Sequence, residues 1–326
     1  MKILIYSFND KIGDGLQKIT FIQQLKKIYP NSLITYTTSQ KTTLRNQLFP
    51  LIEKYIDNFI ELNQIDTSLI NFFKKNDCFK GMYFDLIIDL QKVVLRTLKL
   101  KKIRHGKFFS TTADFLFSDY KNSKKLKFKK EYIERFYFNI LSLISEKEFD
   151  TIPNMQIPYM STDQIKISNN VEKNIAIAPG AGHKLRRWPL TNYINIAKKL
   201  KTKGFNIYFF IGPDEEEMLS ECINNGFECP EWENGKLIKK DVLFTMNLAK
   251  KMKCLLCNDG GTAWMFEFAD IKTFKIFGIT DEKKFARPNY STTIQISNYG
   301  YNHLSDFPIE IYTKLLSEYL NLELIN

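Results

Sequence analysis

The sequence predicts an α/β fold of two doubly wound parallel sheets facing a central cleft, one in each half of the chain, and three observations support it. Apolar runs of strand length alternate with segments of helical spacing from residue 2 to 146; the alternation restarts at residue 174; the stretch between, with Pro153 and Pro158 among polar residues, keeps no period. Length agrees, since 326 residues exceed the roughly 250 at which single cores stop growing. The expected division is a first domain over 1–155, a linker over 156–172 and a second domain over 173–326, whose C-terminal helix is free to pack back on the first.

In the first half, residues 2–7 read as a buried strand, followed by a Gly-rich turn. Leu16, Ile19, Ile22, Leu25 and Ile28 then recur at helical spacing, ended by Pro30 and Asn31. "SLITYTT" supplies the next strand, "FDLIIDL" (84–90) another, and 129–146 a long amphipathic helix. In the second half the strands are "NIAIAP" (174–179), "FNIYFFIG" (205–212), "CLLC" (254–257) and "TFKIFG" (273–278). Helices over 191–203, 214–224 and 261–269 separate them. Parallel sheets of this kind bind ligands where strands turn into helices. That singles out the turns at 8–15, 179–188, 212–216 and 258–262.

Composition excludes several classes. With 44% hydrophobic and 25% charged residues the chain can bury sizeable cores, unlike a disordered segment. "MKILIYSFND" is too short in apolar residues for a signal-peptide core and no stretch approaches the roughly 18 apolar residues of a membrane span, which points to the cytosol. Five cysteines without an export signal are expected as free thiols. Cys254 and Cys257 form a CxxC, but on a strand residues three apart face opposite sides, against a zinc site with Cys222 and Cys229.

A net charge of +11 calls for an anionic partner such as nucleic acid, anionic lipid or a phosphorylated sugar, or else a solvated lysine-rich surface. Lysine is spread along the chain, with concentrations in "LKLKKIRHGK" (98–107) and "KNSKKLKFKK" (121–130). No zinc finger, helix-turn-helix or RNP aromatic pattern accompanies the charge, so nucleic acid is not the expected partner.

"PGAGHKLRRWP" (179–189) is neither a Walker A loop nor a dinucleotide fingerprint. It offers a backbone that a ligand can approach, with Arg186 or Arg187 available for a diphosphate, or else a surface loop whose arginines meet water. "NDGGTAW" (258–264) opens a helix after a buried strand, so its free N–H groups and helix dipole favour phosphate, while Asp259 could equally be an ordinary cap. In "NDKIGDGLQ" (9–17) Asp14 is read as a helix cap, as part of a phosphate cradle beside its glycines, which its own negative charge disfavours, or as a proton acceptor. His105 and His303 are isolated and take no role.

The ordered set "IGD", "FDLIIDLQ", "EYIERF", "PGAG…RRWP", "GPDEEE", "NDGG" and "FGITDEKKFARP" resembles glycosyltransferase family 9, the lipopolysaccharide heptosyltransferases. The resemblance covers nearly the whole chain and implies the GT-B architecture of two Rossmann-like domains. It implies that Asp14, after Gly13, is the general base. Arg186 is implied to bind donor phosphate beside Arg187, and Glu216 the nucleotide ribose with Glu215 close behind. Asp259, Gly260, Gly261 and Thr262 correspond to the diphosphate loop. The chain departs from the family in having Trp264 for a usual histidine, where Trp264 either walls the donor pocket or belongs to the core, and Gly260 for a hydroxyl residue. It also has Gly278, Ile279 and Thr280 for Gly-Pro-Thr, with Thr280 as a further donor contact.

On the acceptor side the expectation falls on Gly13, Gln91, Arg96 and Arg104, with Asp85 structural. The implied activity is inverting, metal-independent transfer of heptose or a related sugar from a nucleoside diphosphate donor, ADP-heptose first, to an anionic lipid-linked lipopolysaccharide core-type acceptor. No cofactor is expected. Peripheral contact with the cytoplasmic face of the inner membrane follows from such an acceptor. The competing readings are a nucleotide-sugar-binding homologue without catalysis, a family member using another donor sugar, and a nucleic-acid module suggested by charge alone.

Overall fold

The computed structural model describes residues 1–65, 77–128, 131–239, 241–322 and 324. It divides into two compact units, Met1–Gln156 and Ile157–Asn326. Ile157, Met160, Ile165 and Ile167, from the stretch expected as a linker, pack against a core of the second unit.

The first unit contains β1 (Lys2–Ser7), α1 (Ile12–Ile28), β2 (Leu33–Thr38), α2 (Phe49–Ile52) and β3 (Asn58–Ile60). β4 (Tyr83–Asp89), α3 (Val94–Lys101), β5 (Arg104–Ser110) and α4 (Ile133–Ser145) complete it. Residues 129 and 130 of the helix expected over 129–146 lie outside the described residues. The strands are parallel in the order β3-β2-β1-β4-β5. Leu4, Ile5, Ile87 and Ile88 are fully buried because helices or loops cover both faces of the sheet.

The second unit begins with β6 (Asn174–Ala178), α5 (Leu190–Thr202), β7 (Asn206–Phe209), α6 (Leu219–Asn224) and the small hairpin of β8 (Trp232–Glu233) and β9 (Lys236–Leu237). It continues with α7 (Val242–Ala249), β10 (Cys254–Asn258), α8 (Gly261–Phe268), β11 (Lys272–Phe277), α9 (Glu282–Phe285), β12 (Ser291–Gln295) and α10 (Ile309–Leu320). Its sheet is parallel in the order β12-β11-β10-β6-β7, and a single parallel bridge from Tyr208 to Glu228 adds a further rung outside β7. Cys254 faces one core of this unit and Cys257 the other, so the CxxC cannot converge on one ion. Helix α10 packs within the second unit: Tyr312 lies in its core and donates to the Phe274 carbonyl at 2.6 Å.

The start of α1 differs from expectation. The helix begins at Ile12, so Gly13, Asp14 and Gly15 are its first turn rather than a loop before it. Gly15 is required there by packing rather than by a turn, since a Cβ on it would fall 2.5 Å from Leu48 Cδ1 and 2.9 Å from Thr43 Oγ1. The N-cap is Lys11, without a side-chain cap bond, so Asp14 does not cap the helix.

Beneath this turn lies a buried ion pair between Asp10 and Lys18. The Asp10 carboxylate also accepts from Ser7 Oγ (2.9 Å), Tyr36 Oη (2.8 Å) and Thr42 Oγ1 (3.0 Å). Lys18 Nζ donates in addition to the Asp14 main-chain carbonyl at 3.1 Å. Burial alone would push the Asp10 carboxyl up, but the Lys18 ammonium and the donors around it hold it below its ordinary value. Breaking one side of such a pair leaves an uncompensated buried charge. Lys18→Met should cost about 3–5 kcal/mol in urea unfolding, and Asp10→Asn added to it should restore part of the loss. A single variant as stable as the parent would contradict this.

Candidate functional site

In each sheet the strand order reverses once, between β1 and β4 in the first unit and between β6 and β10 in the second. Neighbouring loops leave such a reversal in opposite directions and open a crevice at the carboxyl ends of the strands. Most of the expected site residues lie in the turns after these four strands; Glu216 follows β7, Thr280 follows β11 and Arg104 opens β5.

Asp14 sits at the third position of α1, where a carboxylate is favoured by the positive end of the helix dipole. It is exposed, and no described residue bonds or pairs with its carboxylate. Across the reversal, Asp89 ends β4 as a buried carboxylate that accepts from Gln91 N (2.9 Å), Thr97 Oγ1 (2.6 Å) and Ser110 Oγ (3.0 Å). Burial pushes its carboxyl up to about 6 despite these donors and the nearby Arg96. Gln91, half-buried, is thereby fixed at the strand end. Arg96 in the first turn of α3 lies with its guanidinium carbon 3.5 Å from the Phe8 ring centroid, so it ties α3 to the loop before Asp14. Its Nε is buried without a hydrogen-bond partner. Arg104 opens β5 at the amino end of the sheet, level with Tyr83. The fold therefore groups Gly13, Asp14, Gln91 and Arg96 and sets Arg104 at the opposite end of the strands, because all strands of a parallel sheet run one way.

In the second unit one side chain organises the 179–188 loop and joins it to the turn at 258–262. Asn258, the last residue of β10, donates to the Pro179 carbonyl at 2.6 Å and accepts from Trp188 N at 3.0 Å and Tyr193 Oη at 3.1 Å. Both ends of the 179–188 loop are thus tied to the strand that leads into the second loop. Trp188 is buried, stacked on Tyr312 at 5.2 Å and bonded from Nε1 to the Phe307 carbonyl at 3.0 Å.

The two arginines divide their work. Arg187 donates from Nε to the Ala181 carbonyl and from Nη1 to Glu217, both at 2.9 Å, and so braces the loop. Arg186 is 40% exposed at its side chain, lies 3.8 Å from the Asp259 carboxylate, and has a buried Nε with no partner. Asp259, itself buried, also accepts from Thr280 Oγ1 at 2.8 Å, so it holds a cation and a hydroxyl at the rim of the loop. Gly260 is the N-cap of α8 without a side-chain bond, leaving the first N–H groups of Gly261 and Thr262 to other acceptors.

Glu215 and Glu216 differ. The Glu215 carboxylate accepts from Gly212 N at 3.0 Å and fills the space beside Gly180, where a Cβ would fall within 1.9 Å of it. Burial pushes its carboxyl up. Glu216 is exposed, with no bond or ion pair to a described residue. Trp264 belongs to the core: it is 3% exposed and packs on Phe268 (5.9 Å) and the Lys275 ammonium (4.5 Å). That ammonium pairs with Glu267 at 2.9 Å in full burial. Among the described residues no group of three or more His, Cys, Asp or Glu side chains could hold a metal ion.

The sequence reading missed Asp10, Lys18, Asp89 as a buried anchor, and Asn258. The usable signal for Asp89 and Asn258 was position: a polar residue closing an apolar strand at a reversal.

The profile described as Glycosyltransferase family 9 (heptosyltransferase) matches residues 79–315. A glycosyl transferase family 9 structure from Veillonella parvula is similar at 18% identity, covering 98% of this chain and 97% of that one, with a TM-score of 0.70. The E. coli heptosyltransferase WaaC with ADP-2-deoxy-2-fluoro heptose is similar at 14% identity, with 98% and 100% covered and a TM-score of 0.67. E. coli ADP-heptose lps heptosyltransferase II is similar at 17% identity, with 98% and 99% covered and a TM-score of 0.63. No curated protein sequence matches the chain.

The Asp89 site carries a pH dependence of stability. Its carboxyl titrates near 6 when folded against 3.8 for an unperturbed one, so the folded state holds the proton more tightly and stability falls as pH rises from about 4 to 6. The contribution is about 3 kcal/mol. Glu231, buried and pushed up to about 7, adds a loss at slightly higher pH. Asp89→Asn should make the slope between about pH 4 and 6 shallower in chemical unfolding followed against pH, leaving the Glu231 part; an unchanged slope would refute the assignment.

Proposed function

The chain belongs to glycosyltransferase family 9, and from that premise we propose that this transferase moves heptose or a related sugar, with inversion, from a nucleoside diphosphate donor to a lipopolysaccharide core-type acceptor. ADP-heptose is the first donor to test. The observation that carries the reading is the division of labour between the two reversals: a free carboxylate on one, and a cation and open helix N-terminus on the other. The structures of heptosyltransferases with ADP-sugar or ADP support a nucleotide sugar as substrate.

In this mechanism Asp14 takes the proton from the acceptor hydroxyl as that oxygen attacks the anomeric carbon. An exposed carboxylate at the start of a helix, with no competing partner, is free to accept it. The bond from the anomeric carbon to the donor phosphate oxygen breaks, and negative charge grows on the departing diphosphate. Arg186 and the N–H groups of Gly261 and Thr262 stabilise that charge without a metal ion. Asp259 is too negative to meet the phosphates itself; it holds Arg186 and Thr280 in place. Glu216 is the carboxylate available to ribose hydroxyls, since Glu215 is engaged within its own turn. Gly13, Gln91 and Arg96 bound the acceptor site, where Arg96 suits an anionic acceptor group.

Purified protein given ADP-heptose and an inner-core acceptor should release ADP. Asp14→Asn should lower turnover by about 10² to 10⁴ with nucleotide-induced thermal stabilisation unchanged, whereas Arg186→Ala should weaken that stabilisation. Saturable nucleotide-sugar binding with no transfer to any acceptor would assign the chain to a non-catalytic homologue, the reading that Gly260 and Trp264 favour.

A further inference from the structure

The surplus positive charge is concentrated rather than spread. The first unit holds 26 Lys and Arg against 16 Asp and Glu, and the second 21 against 20. Within the first, residues 99–130 alone hold eleven cations against two carboxylates, Asp114 and Asp119. Lys129 and Lys130 lie outside the described residues. The remainder of this segment folds around the edge of the first sheet, where β5 is the outermost strand.

Asp119 closes that edge: its N–H donates to the Phe108 carbonyl at 2.9 Å and its carboxylate accepts from Phe108 N at 2.7 Å. One of the two local carboxylates is thus used in the fold. Arg104, Lys107, Lys121, Lys125 and Lys127 are exposed around it. Lys101 donates to the Phe117 carbonyl at 2.9 Å and so ties α3 to the same loop.

After β5 the chain makes a turn of three consecutive non-glycine residues in the left-handed region, Ala113 (φ 49°), Asp114 (φ 55°) and Phe115 (φ 69°). The Phe115 ring anchors it, edge-on to Phe109 at 6.0 Å and to Phe128 at 5.1 Å. Leu116, the next residue, is left 74% exposed on a shallow hollow that it shares with Asp114, Phe115, Lys121 and Asn122.

We propose that this sheet edge is a docking face for an anionic lipid surface, with Leu116 as the inserting side chain and the surrounding lysines on the phosphates. Charge complementarity selects the partner class. A fixed apolar side chain set among cations separates lipid from nucleic acid, because it gains free energy only where an acyl boundary is available to receive it. The rings of Phe109, Phe115 and Phe128 pack edge-on in a row and Tyr120 is covered by Lys107, 5.4 Å from its centroid, so these four rings are not presented as a platform for stacking bases. The proposal gives a surface to the membrane contact expected of a lipid-linked acceptor, but it rests on charge and exposure and not on the transfer chemistry.

The test is co-sedimentation of the full chain with vesicles of phosphatidylcholine alone or with phosphatidylglycerol, at low and high salt. Retention on the anionic vesicles only, weakened by salt, is expected. Leu116→Ser should lower the partition coefficient about tenfold or more, and Lys121→Glu with Lys125→Glu at least as much, with melting temperatures near the parent's because all three side chains are exposed. Retention on neither vesicle, equal retention on both, indifference to Leu116→Ser, or retention only on an oligonucleotide of similar charge would each overturn the proposal. Vesicle binding by a chain that turns over no nucleotide sugar would count against the transferase reading alone.

Discussion

A parallel sheet sends every strand-to-helix turn out of the same end, and the constraint on which this molecule depends is the single reversal of strand order within each sheet. Where the order runs outward in both directions, two adjacent turns are drawn apart and their backbone groups are left without neighbours from the sheet. In the first unit these are the turns after β1 and β4, and in the second the turns after β6 and β10.

Such openings are held in shape by polar groups that are themselves fully occupied. Asp10 takes donors from four other residues, Ser7, Lys18, Tyr36 and Thr42. Asp89 takes three, and Asn258 uses both its oxygen and its nitrogen on the two ends of the 179–188 loop and on Tyr193 of α5. A saturated buried group is rigid, since every alternative arrangement leaves a desolvated donor or acceptor unpaired. The groups that follow each anchor are then free for ligand: Asp14 after Asp10, Gln91 after Asp89, and Gly260 to Thr262 after Asn258. Arg187 and Glu215 work in the same way for the 179–188 loop, and their engagement is what distinguishes them from Arg186 and Glu216.

The central strands were legible in the sequence because a strand buried on both faces must be apolar throughout, as in "NIAIA" and "CLLC". Of the edge strands, β7 was legible as the apolar run "FNIYFFIG", but β5 and β12 were not: β5 opens with Arg-His-Gly-Lys and β12 with Ser-Thr-Thr, since one flank of each meets loop or solvent. The glycines before Leu16 read as a turn but lie inside α1, where Gly15 is demanded by the approach of Leu48 and Thr43 from a distant segment. The anchors were hidden for a similar reason. Tyr36 is 26 residues from Asp10, and Trp188 is 70 from Asn258. No local pattern records such pairings, whereas Asp14, Arg186 and the Asp259 loop stand in contiguous motifs.

Of the departures at Gly260 and Trp264, the structure accounts for the second and not the first. A Cβ on Gly260 would stand 3.5 Å from the Gly180 carbonyl and 3.7 Å from Ala181 Cα, which is ordinary contact, so space does not forbid the hydroxyl residue usual in the family. Trp264, by contrast, is committed: it covers the buried Lys275 ammonium, whose partner Glu267 lies one turn further along α8 and accepts also from Thr273 Oγ1 at 2.6 Å. Replacing that indole by a smaller polar ring would open a gap above a buried charge. The side chain at 264 therefore answers to the core. What the head of α8 offers, in the proposed reaction, to a diphosphate is main chain, the Thr262 hydroxyl and the Arg186 paired with Asp259, groups suited to negative charge rather than to a particular sugar.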